Sequence, residues 1–509
     1  MASKETLKNK IPNKNSFYDK HPFCRPSGWL RHSKFAHAIL SGLAQIGSSS
    51  LELPPGGKET SLRSVVGLHD SSEQRGKPKC EESMPLVIVA GGKGTRLGLQ
   101  DIPKPMVPIA GKPLLEHQII LAKHYGITDI FILSGHLAKV IFDYFKDGSD
   151  WGVNITHILE PYPLGTAGSV KLLEHIIKER FLVLYGDVVL DFDMQSFIEY
   201  DKKNASLATI ITHPNDHPFD SDLVEIDTTN RVTSFLTKPH QSGLLYKNCV
   251  NAAAYIFSPE IFKFIPFGAN QDFGKNIFPR LIAEQLPIYA YQTPEYIKDL
   301  GTLDRLEKVQ KDFTSGKIAR MNKKHPRKAI FSDRDGVINR ELPHLTTIEE
   351  FEMLPEVPEA IKKINQSEYL AIVITNQPVI AKGFVTESQL NKIHKKMETL
   401  LGEKHAYIDG LYYCPHHPEK GFEGEIKELK IQCNCRKPEA GMLHQAAKDF
   451  NIDLKNSWMI GDRDADILAG KKAGCKTVML PNSKPQQCEA DFHCQNLSKA
   501  VDHILTNQE

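Results

Sequence analysis

Twice along these 509 residues a short, wholly apolar run ends on a loop crowded with glycine or carboxylate. The first run, Leu86-Val87-Ile88-Val89, leads into Ala90-Gly91-Gly92-Lys93-Gly94-Thr95-Arg96-Leu97. The second, Ala329-Ile330-Phe331, leads one residue on into Asp333-Arg334-Asp335-Gly336-Val337-Ile338-Asn339. An uninterrupted apolar run reads as a strand buried on both faces, and such a strand needs helices above and below it. Loops at the carboxyl ends of those strands are where open α/β sheets bind ligands. The pair of junctions therefore points to two α/β domains in tandem, each with its chemistry at the end of its first strand.

The rest of the chain follows that frame. Strand-like runs recur at 130–133, 181–185, 208–212 and 254–257, with helical spacing over 113–124 and 137–145. Further strands are expected at 370–375, 458–460 and 477–480. Strand–helix alternation implies parallel pairing and three-layer, doubly wound domains. The expected division is a leader over 1–83, a first domain over 84–316, a basic, polar linker over 317–328 and a second domain over 329–509. The leader is rich in Lys, Ser, Pro and Gly, and Pro54-Pro55-Gly56-Gly57 breaks any pattern there. Met84 stands two residues before the first strand, so translation from Met84 and a disordered tail are both open readings.

Composition excludes several classes. Lys+Arg number 63 against 62 Asp+Glu, a net charge of +1, which does not suit a broad polycation for nucleic acid. No apolar run approaches the ~20 residues of a membrane-spanning helix. Nine cysteines are too sparse for a disulfide scaffold, and no basic-then-apolar secretory pattern opens the chain, so the expected location is cytoplasmic. Oligomeric state is not fixed by the sequence, and a homo-oligomer is compatible with it.

In the first loop, Gly91, Gly92 and Gly94 let backbone amides approach phosphate oxygens, with Lys93, Thr95 and Arg96 beside them. The pattern is neither Gly-x-Gly-x-x-Gly nor a P-loop ending in Gly-Lys-Ser/Thr. With Pro103-Lys104-Pro105-Met106 and Gly111-Lys112-Pro113 it resembles the nucleotidyltransferases that make nucleoside-diphosphate sugars, in their mannose-1-phosphate guanylyltransferase-like branch. Glu160-Pro161, Leu164-Gly165-Thr166-Ala167-Gly168, Gly186-Asp187, Lys238-Pro239, Asn251 and Asp299-Leu300-Gly301-Thr302 continue the match to about residue 311. The resemblance implies a sugar 1-phosphate attacking the α-phosphorus of a nucleoside triphosphate. By it, Asp187 and Asp299 hold Mg²⁺, and Arg96 and Lys104 balance charge on the transferring phosphoryl group. It also implies that Gly91, Gly92, Gly94, Thr95, Glu160, Gly165 and Thr166 bind nucleotide or sugar, and that Lys238 and Asn251 face the sugar.

In the second loop, two carboxylates one residue apart suit attack on phosphorus by one and acid–base work by the other. A calcium loop does not fit, since the other liganding positions and closing Glu are missing. Thr375-Asn376-Gln377, Arg436-Lys437-Pro438 and Gly461-Asp462-Arg463-Asp464-Ala465-Asp466 follow later strands or loops, and together these resemble the four motifs of haloacid dehalogenase-like phosphatases. The resemblance makes Asp333 nucleophile and Mg²⁺ ligand. Asp335 becomes the acid/base, its backbone carbonyl completing the metal shell, and Asp462 anchors Mg²⁺. Thr375 and Lys437 stabilise the phosphoryl group, with Asn376 and Arg436 on the substrate. Asp466 reads equally as a site residue and as a first-turn helix residue.

Cys414-Pro415-His416 and Cys433-Asn434-Cys435 offer three thiolates and an imidazole, a set suited to a closed, structural zinc site. His417 competes with His416. The loop closely resembles that of D-glycero-D-manno-heptose 1,7-bisphosphate 7-phosphatases, a branch shared with histidinol-phosphate phosphatases, and this resemblance selects His416. Where that family has Ser-Gly-Ile-Ala-Arg-Gly after Asn-Gln, this chain has Pro378-Val379-Ile380-Ala381-Lys382-Gly383, which touches a substrate-facing loop.

The fusion implies consecutive steps on small-molecule substrates, a nucleoside triphosphate and sugar phosphates. The distal phosphate of heptose 1,7-bisphosphate is removed, and the heptose 1-phosphate receives a nucleotidyl group, by resemblance from GTP. No residue excludes ATP, CTP or UTP. Two rivals stay open: the same reactions on another phosphorylated sugar, or a phosphatase with a non-catalytic nucleotide-sugar-sensing domain.

Overall fold

The computed structural model describes residues 84–92, 101–482 and 487–506. The leader, with both readings of Met84's upstream segment, lies outside the described residues, as do Lys93, Gly94, Thr95 and Arg96.

The first sheet has nine strands. Leu86–Val89 lies at its centre, parallel to Asp129–Ser134 on one side and Phe181–Tyr185 on the other, with Asn154–Leu159 outside. Leu86 and Ile88 enter one hydrophobic core while Val87 enters another, the alternation expected of a strand covered on both faces. Parallel pairing does not run through the whole sheet. Val250–Phe257 is antiparallel to both Phe181–Tyr185 and Ala208–His213, and Leu223–Ile226 and Val232–Leu236 form a further antiparallel pair. The cause is local: between Ala208–His213 and Val250–Phe257 the only helical turn is Pro218–Asp220, too short for the crossover that parallel strands need. A separate antiparallel ribbon joins Val188–Asp191 to Tyr296–Asp299 and sets Asp299 opposite Val188.

The second sheet is parallel throughout. Its order is Gly410–Cys414, Tyr369–Asn376, Lys328–Ser332, Trp458–Gly461, Lys476–Met479, Phe492–His493. The chain builds outward from Lys328–Ser332 on one side, then returns to build on the other. Its switch point lies between Lys328–Ser332 and Trp458–Gly461, where α/β sheets open a binding crevice. Ile330 enters one core and Ala329 and Phe331 the opposite one, completing the three layers.

The connection over 317–328 is packed rather than loose. It opens with the helical turn Lys317–Arg320, whose buried Lys317 donates to the Asn365 carbonyl at 2.7 Å. Asn322 donates to Asp191 at 2.7 Å and Arg327 to the Phe450 carbonyl at 2.9 and 2.6 Å. Its polar side chains grip both halves, which is why the segment is polar without being a tether. No helix among the described residues is long and apolar enough to cross a membrane.

Candidate active sites

At the first strand end, Gly91 lies so close to Glu160 that an added Cβ would overlap the carboxylate. Burial raises the Glu160 pKa, and only part of that is offset by the Leu164 amide. Gly165 has φ +72°, and a Cβ there would run into the backbone of Gln271. Thr166 donates to Asp272 at 2.9 Å and accepts from Phe273 N at 3.0 Å, so its hydroxyl fastens the Gly165–Lys171 helix to the neighbouring loop. Gly92 is exposed.

Lys104, buried on the short turn Lys104–Met106, pairs with Asp187 at 3.0 Å. The Leu300 amide donates to the Asp187 carbonyl at 3.0 Å, which brings Asp299 beside Asp187 from a position more than a hundred residues away. Asp299 accepts from Arg305 at 2.8 and 2.7 Å, and His217 Nε2 stands 3.7 Å from it. Burial alone would raise the Asp299 pKa, but His217 and Arg305 outweigh it and hold the carboxylate well below its usual range. Asp216, on the far side of His217 at 2.7 Å, is paired with Lys298 at 3.2 Å and Lys308 at 2.8 Å. Lys238 Nζ donates to the Asp220 carbonyl at 2.7 Å, and Asp220 lies 3.5 Å from Arg305. Asn251 donates to Tyr255 at 3.0 Å, and its amide bonds the Asp222 carbonyl. A chain of charge thus connects Lys238 to Asp299, while Asn251 reaches the same neighbourhood through Asp222.

Asp216, His217, Lys298, Arg305 and Lys308 were not foreseen. Arg305 had a signal, because it lies six residues after Asp299 on a helix that Thr302 caps from its side-chain oxygen. Lys298 precedes Asp299 on its strand and Lys308 shares the helix of Arg305, whereas Asp216 and His217 come from a distant segment.

The second strand end gathers its parts more tightly. Carboxylate oxygens of Asp333, Asp462 and Asp466 all lie within 4.8 Å of one another. Lys437 Nζ reaches Asp333 at 2.9 Å, Asp466 at 2.6 Å and the Ile374 carbonyl at 2.8 Å. Burial raises Asp333 above the normal carboxylate range despite Lys437, and burial together with Asp333 and Asp466 pushes Asp462 up to about 8. Gly336, at φ +82°, lies where a Cβ would overlap Asp462. Asp466 also accepts from the Arg463 amide at 3.1 Å in the first turn of the Asp464–Ala473 helix, while its side chain meets Lys437.

Asp335 is not part of the carboxylate cluster. The fully buried Arg334 binds it at 2.8 and 2.9 Å, with Asn339 at 3.0 Å and Gln377 at 2.9 Å. Its side chain is therefore no metal ligand here, and only its backbone carbonyl is left for that role. Burial would raise its pKa, but Arg334, Asn339 and Gln377 together lower it. His394 Nε2 accepts from Arg334 at 3.1 Å, and burial and then Arg334 keep that imidazole neutral. Gln377 also donates to Thr375 at 2.8 Å. Asn376 clasps the backbone of Lys437 through two 3.0 Å bonds, which positions the lysine and leaves its own amide occupied. A cavity of about 230 Å³ opens beside Asp462, lined by Gly336, Asn339, Arg340, Glu341, Leu354, Pro481 and Asn482.

Cys414, His416, Cys433 and Cys435 converge, with Cys414 3.5 Å from Cys433 and 3.2 Å from Cys435, and His416 Nδ1 3.3 Å from Cys435. Those separations approach the edges of a tetrahedron with metal–sulfur bonds of about 2.3 Å. His417 faces the other way, its Nδ1 accepting from the Glu419 amide at 3.2 Å. Arg436 donates to the His416 carbonyl at 3.2 Å, so the Cys/His cluster and the segment carrying Arg436 and Lys437 are tied together. The divergent segment 378–383 buries Val379 and Ile380 and sets Lys382 over the Phe422 ring at 4.6 Å.

The two halves define a class: a nucleotidyltransferase domain followed on one chain by a haloacid dehalogenase-like phosphatase domain. The nucleotidyl transferase family matches residues 86–316 and the HAD-hydrolase-like family residues 434–505. The second half is 41% identical over 155 residues to the D-glycero-beta-D-manno-heptose-1,7-bisphosphate 7-phosphatase of Haemophilus ducreyi, spanning 30% of this chain and 82% of that protein. The chain belongs to that phosphatase family. Its first half is 33% identical over 234 residues to a UTP–glucose-1-phosphate uridylyltransferase of Synechocystis, spanning 43% of this chain and 60% of that protein. Among solved structures, HddC from Yersinia pseudotuberculosis is similar at 29% identity and a TM-score of 0.40, covering 45% of this chain and 99% of that one.

Proposed function

We propose that the chain carries out two consecutive steps of nucleotide-sugar synthesis. The second half removes the 7-phosphate of D-glycero-D-manno-heptose 1,7-bisphosphate. The first half then transfers a nucleotidyl group from GTP to heptose 1-phosphate and releases pyrophosphate. The observation that carries the reading is the convergence of Asp333, Lys437, Asp462 and Asp466 beside a four-ligand Cys/His loop, in a chain of that phosphatase family.

In the phosphatase, an Asp333 oxygen attacks phosphorus and the sugar oxygen leaves with a proton from Asp335. Water, deprotonated by Asp335, then cleaves the aspartyl-phosphate. The Arg334, Asn339 and Gln377 contacts favour the ionised, base form of Asp335; the acid step requires it to loosen from Arg334. Lys437, with Thr375, neutralises the transferring phosphoryl group. Hard carboxylate oxygens fit Mg²⁺, and the buried Asp462 Oδ1, which has no hydrogen-bond partner among the described residues, is the atom most suited to it. When bound, the ion supplies charge neutralisation between nucleophile and phosphate; Asp333, Asp462 and the Asp335 carbonyl would hold it. The thiolate–imidazole set fits Zn²⁺ and leaves no open position, so that ion would brace the loop carrying Arg436 and Lys437.

In the transferase, the sugar phosphate attacks the α-phosphorus directly, so positioning and charge carry catalysis. Lys104, Asp187 and Asp299 form its charged centre, and Asp187 and Asp299 would hold Mg²⁺ in competition with Lys104 and Arg305. Lys238 and Asn251 face the sugar, and Arg96 and the glycine loop the phosphates. Guanine follows from the guanylyltransferase-like pattern, and the product suits surface polysaccharide assembly from the cytoplasm. Purified protein with Mg²⁺ should release one phosphate per heptose 1,7-bisphosphate and leave heptose 1-phosphate. Retention of both phosphates would sink the phosphatase assignment.

A further inference from the structure

The two halves meet along one helix, Glu387–Glu403 of the phosphatase, which Thr386 and Gln389 start with a reciprocal cap. Glu398 on this helix is buried and accepts a hydrogen bond from the backbone amide of Asn248 in the transferase at 2.7 Å. One residue on, Thr399 accepts from Tyr246 N at 3.0 Å, and Gly402 leaves room for Pro218, which an added Cβ would approach to 2.6 Å.

Asn248 passes this contact inward. Its side chain grips Asn215 at two points, accepting from Asn215 N at 3.1 Å and donating to Asn215 O at 2.8 Å. Asn215 in turn accepts from His217 N at 3.0 Å, and His217 stands between Asp216 and Asp299. His405, just past the end of the helix, donates to the Asp216 carbonyl at 2.9 Å. A carboxylate of one domain is therefore three hydrogen bonds from His217, whose Nε2 stands 3.7 Å from a carboxylate of the other domain's centre. All of the intermediate groups before His217 are buried.

We infer that Glu398 is a positioning residue for nucleotidyl transfer: the phosphatase domain holds the transferase's 215–221 loop, and through His217 it sets Asp299. The inference rests on the transferase reading above. The buried Asn248 amide has no other acceptor among the bonds described, so removing the carboxylate releases the loop rather than exchanging one contact for another.

The test compares Glu398→Ala, Glu398→Gln and Asn248→Ala with the unaltered full chain, following both reactions as Mg²⁺ is titrated. Outer contacts of this kind typically change metal affinity or turnover by about tenfold or more. Glu398→Ala and Asn248→Ala should each raise the Mg²⁺ needed for half-maximal transfer, or lower transfer kcat, by about tenfold. Phosphate release should stay within about twofold in both, a sign that the chain is folded. Glu398→Gln keeps an acceptor for the Asn248 amide and should restore transfer. The double variant should be no worse than either single one, since both break the same path. Unchanged transfer in Glu398→Ala, or parallel loss of both reactions in Glu398→Ala and Asn248→Ala, overturns the inference. If the unaltered chain forms no nucleotide sugar with any of the four triphosphates, the transferase reading itself fails.

Discussion

Asp333 and Asp462 set the acid–base behaviour of the phosphatase site, and each favours a proton more than an exposed carboxylate does. Burial is the first cause in both, and for Asp462 the result is a pKa of about 8. A proton and Mg²⁺ then compete for one carboxylate. Mg²⁺ affinity should fall as pH drops from about 8, by up to about tenfold per unit, and level off above it. Isothermal titration at pH 6, 7 and 8 reads this directly, and a pH-independent affinity would contradict it. Asp333→Asn should reduce phosphate release by about 10³-fold or more, leaving transfer intact, because the amide cannot form the acyl-phosphate. Gly336→Ala should cost about 1–3 kcal/mol in thermal unfolding and also impair phosphate release, since it combines a left-handed backbone with a clash on Asp462. The Asp-x-Asp-Gly motif exposed these residues in the sequence because spacing along one loop survives folding unchanged. Arg334 was visible only as its variable position, and its grip on Asp335 depends on Gln377 and His394 from elsewhere in the chain.

Among elements, the strand ends were legible because apolar runs of fixed length leave few other structures. The antiparallel half of the first sheet was not legible, since periodicity marks a strand without saying which neighbour it pairs with. The contacts of the 317–328 segment were not legible for a related reason: Lys317, Asn322 and Arg327 look solvated until their carbonyl and carboxylate partners are known. The Cys/His loop makes its own prediction. Arg436 hangs from the His416 carbonyl, and Lys437 follows it directly. Stripping metal with a chelator, or Cys433→Ser, should lower phosphate release at least tenfold and reduce thermal stability, with one zinc lost per chain by elemental analysis. Full phosphatase activity in zinc-free protein would show that the loop needs no metal to hold these cations.

At the scale of the whole molecule, two chemistries share a chain but not a reacting centre. Lys104→Ala should remove most nucleotidyl transfer while phosphate release continues, the mirror image of Asp333→Asn. A mixture of those two variants should then restore nucleotide-sugar formation from the bisphosphate, because heptose 1-phosphate can diffuse from one molecule to another. The central claim is that the product of one half is the substrate of the other. The most direct test incubates the unaltered protein with heptose 1,7-bisphosphate, each anomer separately, Mg²⁺ and one nucleoside triphosphate at a time, following products by mass. One phosphate, one pyrophosphate and a GDP-heptose are expected with GTP. Phosphate release with no nucleotide sugar under any triphosphate would contradict it.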